Sequence, residues 1–180
     1  MARVFILGIG NALLTDEGVG VRAVNELERR FVFPPEVEIL DGGTAGIELL
    51  RHILGHEYLI IIDAMLFSKP PGTITRLQGE EVPAAFRTRI SPHQLGLSDL
   101  LAAGRLTGDL PENLILFGVE PKSVDMGLEL SPEVERSMET LVAAVVGEVE
   151  ALGHTLQPVN GNFTQKARFW DRYEKNTSLQ

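Results

Sequence analysis

The amino-acid sequence predicts an α/β fold, a largely parallel sheet of about five strands with helices on both faces. Three observations carry the prediction. Short continuous apolar runs, Val4-Phe5-Ile6-Leu7 and Tyr58-Leu59-Ile60-Ile61-Ile62 foremost, have the make-up of strands buried on both faces. Between such runs lie longer segments whose apolar residues recur at helical spacing, and strands that alternate with helices pair in parallel. Two of these segments open alike, at Ser91-Pro92 and Ser131-Pro132, with serine at the cap and proline at the first helical position.

The first strand, Val4 onward, ends in Gly8-Ile9-Gly10-Asn11. Thr15-Asp16-Glu17-Gly18 can cap a helix and place carboxylates in its first turn. Val19, Ala23, Val24, Leu27 and Phe31 continue that helix, and Pro34-Pro35 is expected to end it. Val37-Glu38-Ile39-Leu40-Asp41 is a second strand stopped by Gly42-Gly43, and residues 44–54 read as a short helix. The third strand ends at Asp63. A fourth, over residues 72–77, follows the turn Lys69-Pro70-Pro71-Gly72, and residues 113–119 form a fifth. The helix after Ser91-Pro92 is expected to reach about Gly104. In the last helix Val134, Met138, Leu141, Val142, Val145, Val149 and Leu152 make one apolar stripe, with Gly153 as its stop. Residues 1–155 carry no repeat or linker and are expected to form one domain. Residues 156–180 read as a C-terminal tail, docked on the domain or frayed. From Gly161 onward it holds four basic and two acidic residues and the aromatics Phe163, Phe169, Trp170 and Tyr173.

Composition narrows the chemistry. The chain has no cysteine, which excludes disulfides, thiolate metal sites and a cysteine nucleophile. A net charge of −9 argues against a nucleic-acid partner. No stretch approaches the ~20 apolar residues that span a membrane, so no membrane insertion is expected. The residues before Asn11 read as a buried strand rather than an export signal, and a cytoplasmic location is expected. Neither an HExxH helix nor a GxSxG elbow occurs.

In an open parallel sheet, ligands bind beyond the carboxyl ends of the strands. Asn11, Asp16 and Glu17 follow the first strand, Asp41 ends the second, Asp63 ends the third, and His93 lies in the first turn of a later helix. Glu17, Asp63 and His93 together would offer oxygen and imidazole ligands suited to zinc or nickel, with coordination positions left open. Spacing alone does not separate Asp16 from Glu17. Asp16 is assigned to complementing the helix dipole, and Glu17 is kept as the ligand. An aspartate at the end of a buried strand is costly to leave unpaired, which favours a functional Asp63. His52, His56 and His154 read as surface or loop residues. The Gly8-Ile9-Gly10 run also suggests a dinucleotide fingerprint with Asp41 as its acid, but Leu13 stands where the third glycine belongs. The opening Leu7-Gly8-Ile9-Gly10-Asn11 is likewise similar to the first strand of peptidyl-tRNA hydrolases, whose RNA calls for a basic surface that this acidic chain does not suggest.

Five motifs in order resemble the hydrogenase maturation endopeptidases over residues 3–155. They are Leu7-Gly8-Ile9-Gly10-Asn11 with Leu14-Thr15-Asp16-Glu17-Gly18-Val19-Gly20-Val21-Arg22; Leu40-Asp41-Gly42-Gly43-Thr44-Ala45-Gly46; Ile62-Asp63-Ala64; Ile90-Ser91-Pro92-His93-Gln94-Leu95-Gly96; and Phe117-Gly118-Val119-Glu120-Pro121. Among that family, the peptidases of membrane-bound uptake hydrogenases are the most similar. The resemblance implies a twisted sheet flanked by helices. It implies metal ligands at Glu17, Asp63 and His93, with Asp63 and Glu17 as candidate catalytic carboxylates, and precursor recognition at Gly42, Gly43 and Thr44. The implied reaction is a single cut that removes a short C-terminal extension from the large-subunit precursor of a nickel–iron hydrogenase. The cofactor implied is nickel carried by that substrate, although zinc or cadmium could occupy the same ligands. The family is often classed as aspartic-type, and a monomer is expected. A non-catalytic chaperone for a metalloenzyme precursor, and a nucleotide- or tRNA-related hydrolase, are the other two readings.

Overall fold

The computed structural model describes residues 1–87 and 92–159, with the side chains of Pro92 and His93 outside that description. Its strands are β1 (Val4–Ile9), β2 (Phe31–Val32), β3 (Val37–Gly43), β4 (Tyr58–Ala64), β5 (Ile74–Gln78), β6 (Asn113–Val119) and β7 (Gln157–Pro158). Its helices are α1 (Val19–Arg30), α2 (Leu50–Ile53), α3 (Glu81–Phe86), α4 (Pro92–Thr107) and α5 (Pro132–Ala151), with 3-10 turns at Thr15–Gly18 and Ile47–Leu49.

Five strands form one sheet in the order β3-β1-β4-β6-β5. Every pair is parallel except β5, which runs antiparallel on the edge beside β6. The apolar runs are continuous because helices cover both faces. Val4, Ile6, Ile60, Ile62, Ile115 and Phe117 point to one side, against Val24 and Leu27 of α1 and Leu141 and Val145 of α5. Phe5, Leu7, Leu59, Ile61 and Leu116 point to the other, against Ile53, Val82, Leu97 and Leu101. Each such side chain contributes roughly 1.5–3 kcal/mol by leaving water.

Four local expectations change. The first helix ends at Arg30. Phe31 is extended (φ −132°, ψ 145°) and pairs with Pro158, while Val32 pairs with Gln157. A β-branched residue and an aromatic lie just before Pro34-Pro35, and helical conformation is disfavoured for the residue before a proline. The same pairing keeps the chain on the domain to Val159, whose N–H donates to Arg30 O at 2.8 Å. The short helix expected over 44–54 splits into a 3-10 turn and one α-turn. The sequence reading also missed α3, which has Pro83 in its first turn, where a missing N–H is tolerated. Finally, His56 and His154 are buried rather than at the surface. The His56 ring packs on Phe5 with centroids 5.1 Å apart, and His154 Nε2 lies 2.8 Å from the Ala2 carbonyl. Their apolar and backbone partners come from distant segments, which spacing cannot reveal. At α5 the cap is as expected: Ser131 Oγ accepts from Val134 N–H at 3.4 Å, and Gly153 follows the helix at φ +91°. Ser91 lies outside the described residues.

Candidate active site at the sheet's switch point

From β1 the chain crosses to β3 on one side. From β4 it proceeds to β6 on the other. The carboxyl ends of β1 and β4 therefore flank the crevice where the strand order reverses, the place where open α/β sheets bind ligands. Glycines draw the elements together there. A Cβ on Gly8 would overlap Gly20 O, and one on Gly20 would overlap the carbonyls of both Ile9 and Ile62, so α1 starts directly on the two strand ends. Gly10, at φ +137°, lets the backbone fold back until Glu17 O sits where its Cβ would be. The 3-10 turn carrying half-buried Glu17 consequently packs against β4.

Gly8 is in register with Ile62, which sets Asp63 one residue further along, level with Ile9. Asp63 is completely buried. Its Oδ1 accepts the Ala64 N–H at 2.8 Å, and its Oδ2 accepts from Gln94 Nε2 at 3.3 Å. Gln94 also donates to Ala64 O at 2.9 Å and is itself 6% exposed. These bonds fasten the first turn of α4, and thus the His93 backbone, to the end of β4. The α4 helix also touches the glycine loop after β3, where a Cβ on Gly46 would lie 3.1 Å from Gly96 Cα. Gly43 has φ +52°, and its N–H donates to Asp41 Oδ1 at 3.0 Å. Asp41, Gly43 and Thr44 border a cleft of about 1070 Å³ that runs from Gly10 and Asn11 along α1 and α5.

Asp16 and Glu17 separate clearly. Asp16 is fully buried and accepts four hydrogen bonds. They come from the backbone N–H groups of Lys122 (2.8 Å), Ser123 (3.1 Å) and Ser131 (2.7 Å) and from Ser131 Oγ (2.8 Å). Its role is structural, as expected, but the mechanism differs from the dipole effect proposed for it. It gathers the loop between β6 and α5. Glu120, the residue directly after β6, does the same for another loop by accepting Phe67 N–H at 2.6 Å. The strand-end rule that singled out Asp63 also applies to Glu120, which the sequence reading passed over. Gln94 was missed as well, although it lies within the quoted motif beside His93.

Among the described residues no three His, Asp or Glu side chains assemble as a metal cage. The Glu17–Asp63–His93 set requires the His93 side chain, which lies outside the description. Apolar side chains stand exposed around this end of the sheet: Leu13, Leu66, Leu95, Met126 and Leu128. The main chain links two of their loops, with Thr15 N–H donating to Gly127 O and Gly127 N–H to Leu13 O, both at 2.9 Å.

Comparison with known proteins gives this geometry a family. The family model described as HycI: Hydrogenase maturation protease matches residues 21–148. The chain belongs to the hydrogenase maturation proteases. It is 49% identical over 152 residues to the Hydrogenase 2 maturation protease of Escherichia coli strain K12, covering 84% of this chain and 93% of that one. The solved structure of the E. coli hydrogenase maturating endopeptidase HybD superposes with a TM-score of 0.83 at 48% identity, over 87% of this chain and 97% of that one. A [NiFe] hydrogenase maturation protease HybD from Thermococcus kodakarensis gives 0.67 at 31% identity, over 83% and 98% of the respective chains. The mixed sheet with helices on both faces is thus the maturation-protease fold. As a member of the family this chain is a hydrolase.

Proposed function

We propose that the protein is an endopeptidase that removes a short C-terminal extension from the nickel-loaded large-subunit precursor of a nickel–iron hydrogenase. The observation that carries this reading is the buried Asp63 carboxylate at the β1/β4 switch point, clamped to the start of α4 and adjoining the Glu17 turn. Membership of the protease family supports it.

In this reading Glu17, Asp63 and His93 meet nickel that arrives in the precursor. The donor set of two carboxylates and an imidazole fits a borderline divalent ion. A metal so placed can polarise a carbonyl or acidify a water. The chain's residues supply position: Ala64 N–H and Gln94 fix the Asp63 plane, and the glycine contacts fix the Glu17 turn against β4. Asp63 or Glu17 serves as general base, taking the proton of the water that attacks the scissile carbonyl. Gly43 and Thr44, which border the cleft, contribute recognition there, a glycine backbone letting a substrate strand approach closely, whereas Gly42 is buried with its open side filled by Leu7 Cδ1 and supports the loop from beneath. Zinc or cadmium would fit the same ligands. The exposed leucines around the site suit a protein partner, and the acidic chain does not suit nucleic acid. Among the described residues no helix is long and apolar enough to cross a membrane. We also propose a cytoplasmic, monomeric protein whose single domain, expected to end at residue 155, continues through the β2–β7 pairing to Val159.

The test incubates precursor with wild-type, Asp63→Asn and His93→Ala proteins and follows precursor mass. Wild type should release one C-terminal peptide and both variants none. Normal cutting by either variant would overturn the assigned site. A stable complex with uncut precursor in the wild type would favour the chaperone reading.

A further inference from the structure

The motif after β1 contains one charged residue with no role so far, Arg22. It lies on α1 with Asn25, Glu26 and Arg29 at helical spacing, and all four line the cleft beside Gly43 and Thr44. Its charged neighbours are engaged. Glu26 is bound by Arg29 at 2.7 Å and by Arg30 at 2.9 Å, and Arg30 reaches Glu139 of α5 at 2.6 Å. Asp41 Oδ1 takes the Gly43 N–H, and Asn25 Nδ2 donates to Val21 O. Arg22 Nε, in contrast, is shielded from solvent and has no hydrogen-bond partner among the described residues.

Buried donors in folded proteins are nearly always paired, so a guanidinium N–H orphaned just behind the wall of the cleft that Arg22 lines marks a place where an acceptor belongs, met when the side chain turns into the cleft. The Nε–H and an adjacent Nη–H form a planar fork that matches a carboxylate with two parallel bonds. The cleft, at about 1070 Å³, is far too large for a lone ion and has room for several peptide residues. Its walls also carry Leu13, Leu128 and Leu130, which suit the apolar side chains of such a peptide. Of its four acids, Glu26 and Glu139 are paired with arginines, Glu135 is exposed to screening solvent, and Asp41 is held by the Gly43 N–H at the far side of the glycine loop.

The geometry points to Arg22 as an anion subsite for the precursor's C-terminal extension. Its guanidinium grips a carboxylate of that segment while the segment lies along α1 past Gly43 and Thr44. This inference rests on the maturation-peptidase reading above. The carboxylate is the chain terminus or an acidic side chain, and the test separates the two.

Processing kinetics are measured for wild type, Arg22→Gln and Arg22→Lys with three nickel-loaded precursors: native, one with the extension's acids changed to amides, and one lengthened by Gly-Ser-Gly to displace the terminus. Arg22→Gln should lose at least tenfold in kcat/KM on native precursor, mainly through KM, and Arg22→Lys should recover part of it. Whichever precursor change weakens wild type, but not Arg22→Gln, names the carboxylate. A second readout is independent of cutting. The Arg22 Nε–H resonance of ¹⁵N-labelled protein, identified by its loss in Arg22→Lys, is followed while the synthetic extension peptide is added to millimolar levels. It should shift. Wild-type cutting with an unimpaired Arg22→Gln, or an unmoved Nε–H resonance, would overturn the subsite and leave the peptidase standing. No cutting by wild type would sink the peptidase reading itself.

Discussion

Replacing Asp16 tests whether neighbouring acids in one turn have been assigned to the right tasks. The Asp16→Ala variant leaves the N–H groups of Lys122, Ser123 and Ser131 without their acceptor, and the Ser131 hydroxyl as well. Hydrogen bonds to an ionised acceptor are each worth about 1.5–3 kcal/mol. The loop is partly exposed and can recover water, so the bonds will not sum fully. A loss of about 3–5 kcal/mol is expected, a large part of the roughly 5–15 kcal/mol that stabilises a typical domain. At about 2–4 °C per kcal/mol for a domain of this size, Tm should fall by about 10 °C. Asp16→Asn should cost less. Its carbonyl can occupy the Oδ2 position, which takes three of the four bonds, and its NH₂ then opposes only the Ser131 N–H. Glu17→Gln, at the half-buried neighbour, should cost much less stability yet stop precursor processing. Urea denaturation with an unchanged m-value reads the stabilities, and precursor mass reads the activity. A loss below about 1 kcal/mol for Asp16→Ala would refute the loop-gathering role, because that is the worth of a single neutral hydrogen bond.

Gly20→Ala should destabilise by about 1–3 kcal/mol or more, since the new methyl overlaps two strand carbonyls and must push α1 off the switch point; a wild-type Tm would contradict that packing. Gln94→Met keeps the volume beside Met65 but removes the donor to Asp63 and Ala64 O, and should reduce processing about 10–100-fold with little change in Tm, as lost partners of functional ligands do; undiminished kcat/KM would dismiss the positioning role. Hydrogen bonding to Arg29 foremost, then to Arg30, holds the Glu26 carboxyl below its ordinary range against partial burial. A carboxyl depressed in the folded state adds stability that is complete above its unfolded pKa and lost as pH falls through the folded one. Glu26→Gln should therefore flatten the acid limb of the stability profile from about pH 4.3 downward, by less than about 1 kcal/mol for so exposed a pair; an unaltered limb would contradict it.

The parts of the fold written in local pattern were legible. β1, β4 and β6 are continuous apolar runs because both faces are covered, and α5 declares itself by Ser131-Pro132 and a long stripe. What stayed hidden depends on partners far away in sequence. Phe31 and Val32 fit a helical stripe until Gln157 and Pro158 offer them a strand partner. His56 and His154 are polar in sequence and buried in space. Asp16 looked like a helix-dipole acid because its four donors lie more than a hundred residues further along the chain. For the candidate site, the strand-end rule singled out Glu17 and Asp63, and the structure adds the glycine contacts that bring the Glu17 turn beside the end of β4. Gln94 and Arg22 stood within quoted motifs, but only geometry distinguishes a donor aimed at Asp63 or an unpaired nitrogen on a cleft wall from ordinary helix residues.

The most direct test of substrate-borne nickel as the trigger presents wild-type protein with two forms of its cognate large-subunit precursor, nickel-loaded and nickel-free, and reads both C-termini by mass spectrometry. Loss of one short peptide from the nickel-loaded form alone is the expected result. Equal cutting of both forms would contradict it, leaving a peptidase whose recognition does not pass through the metal.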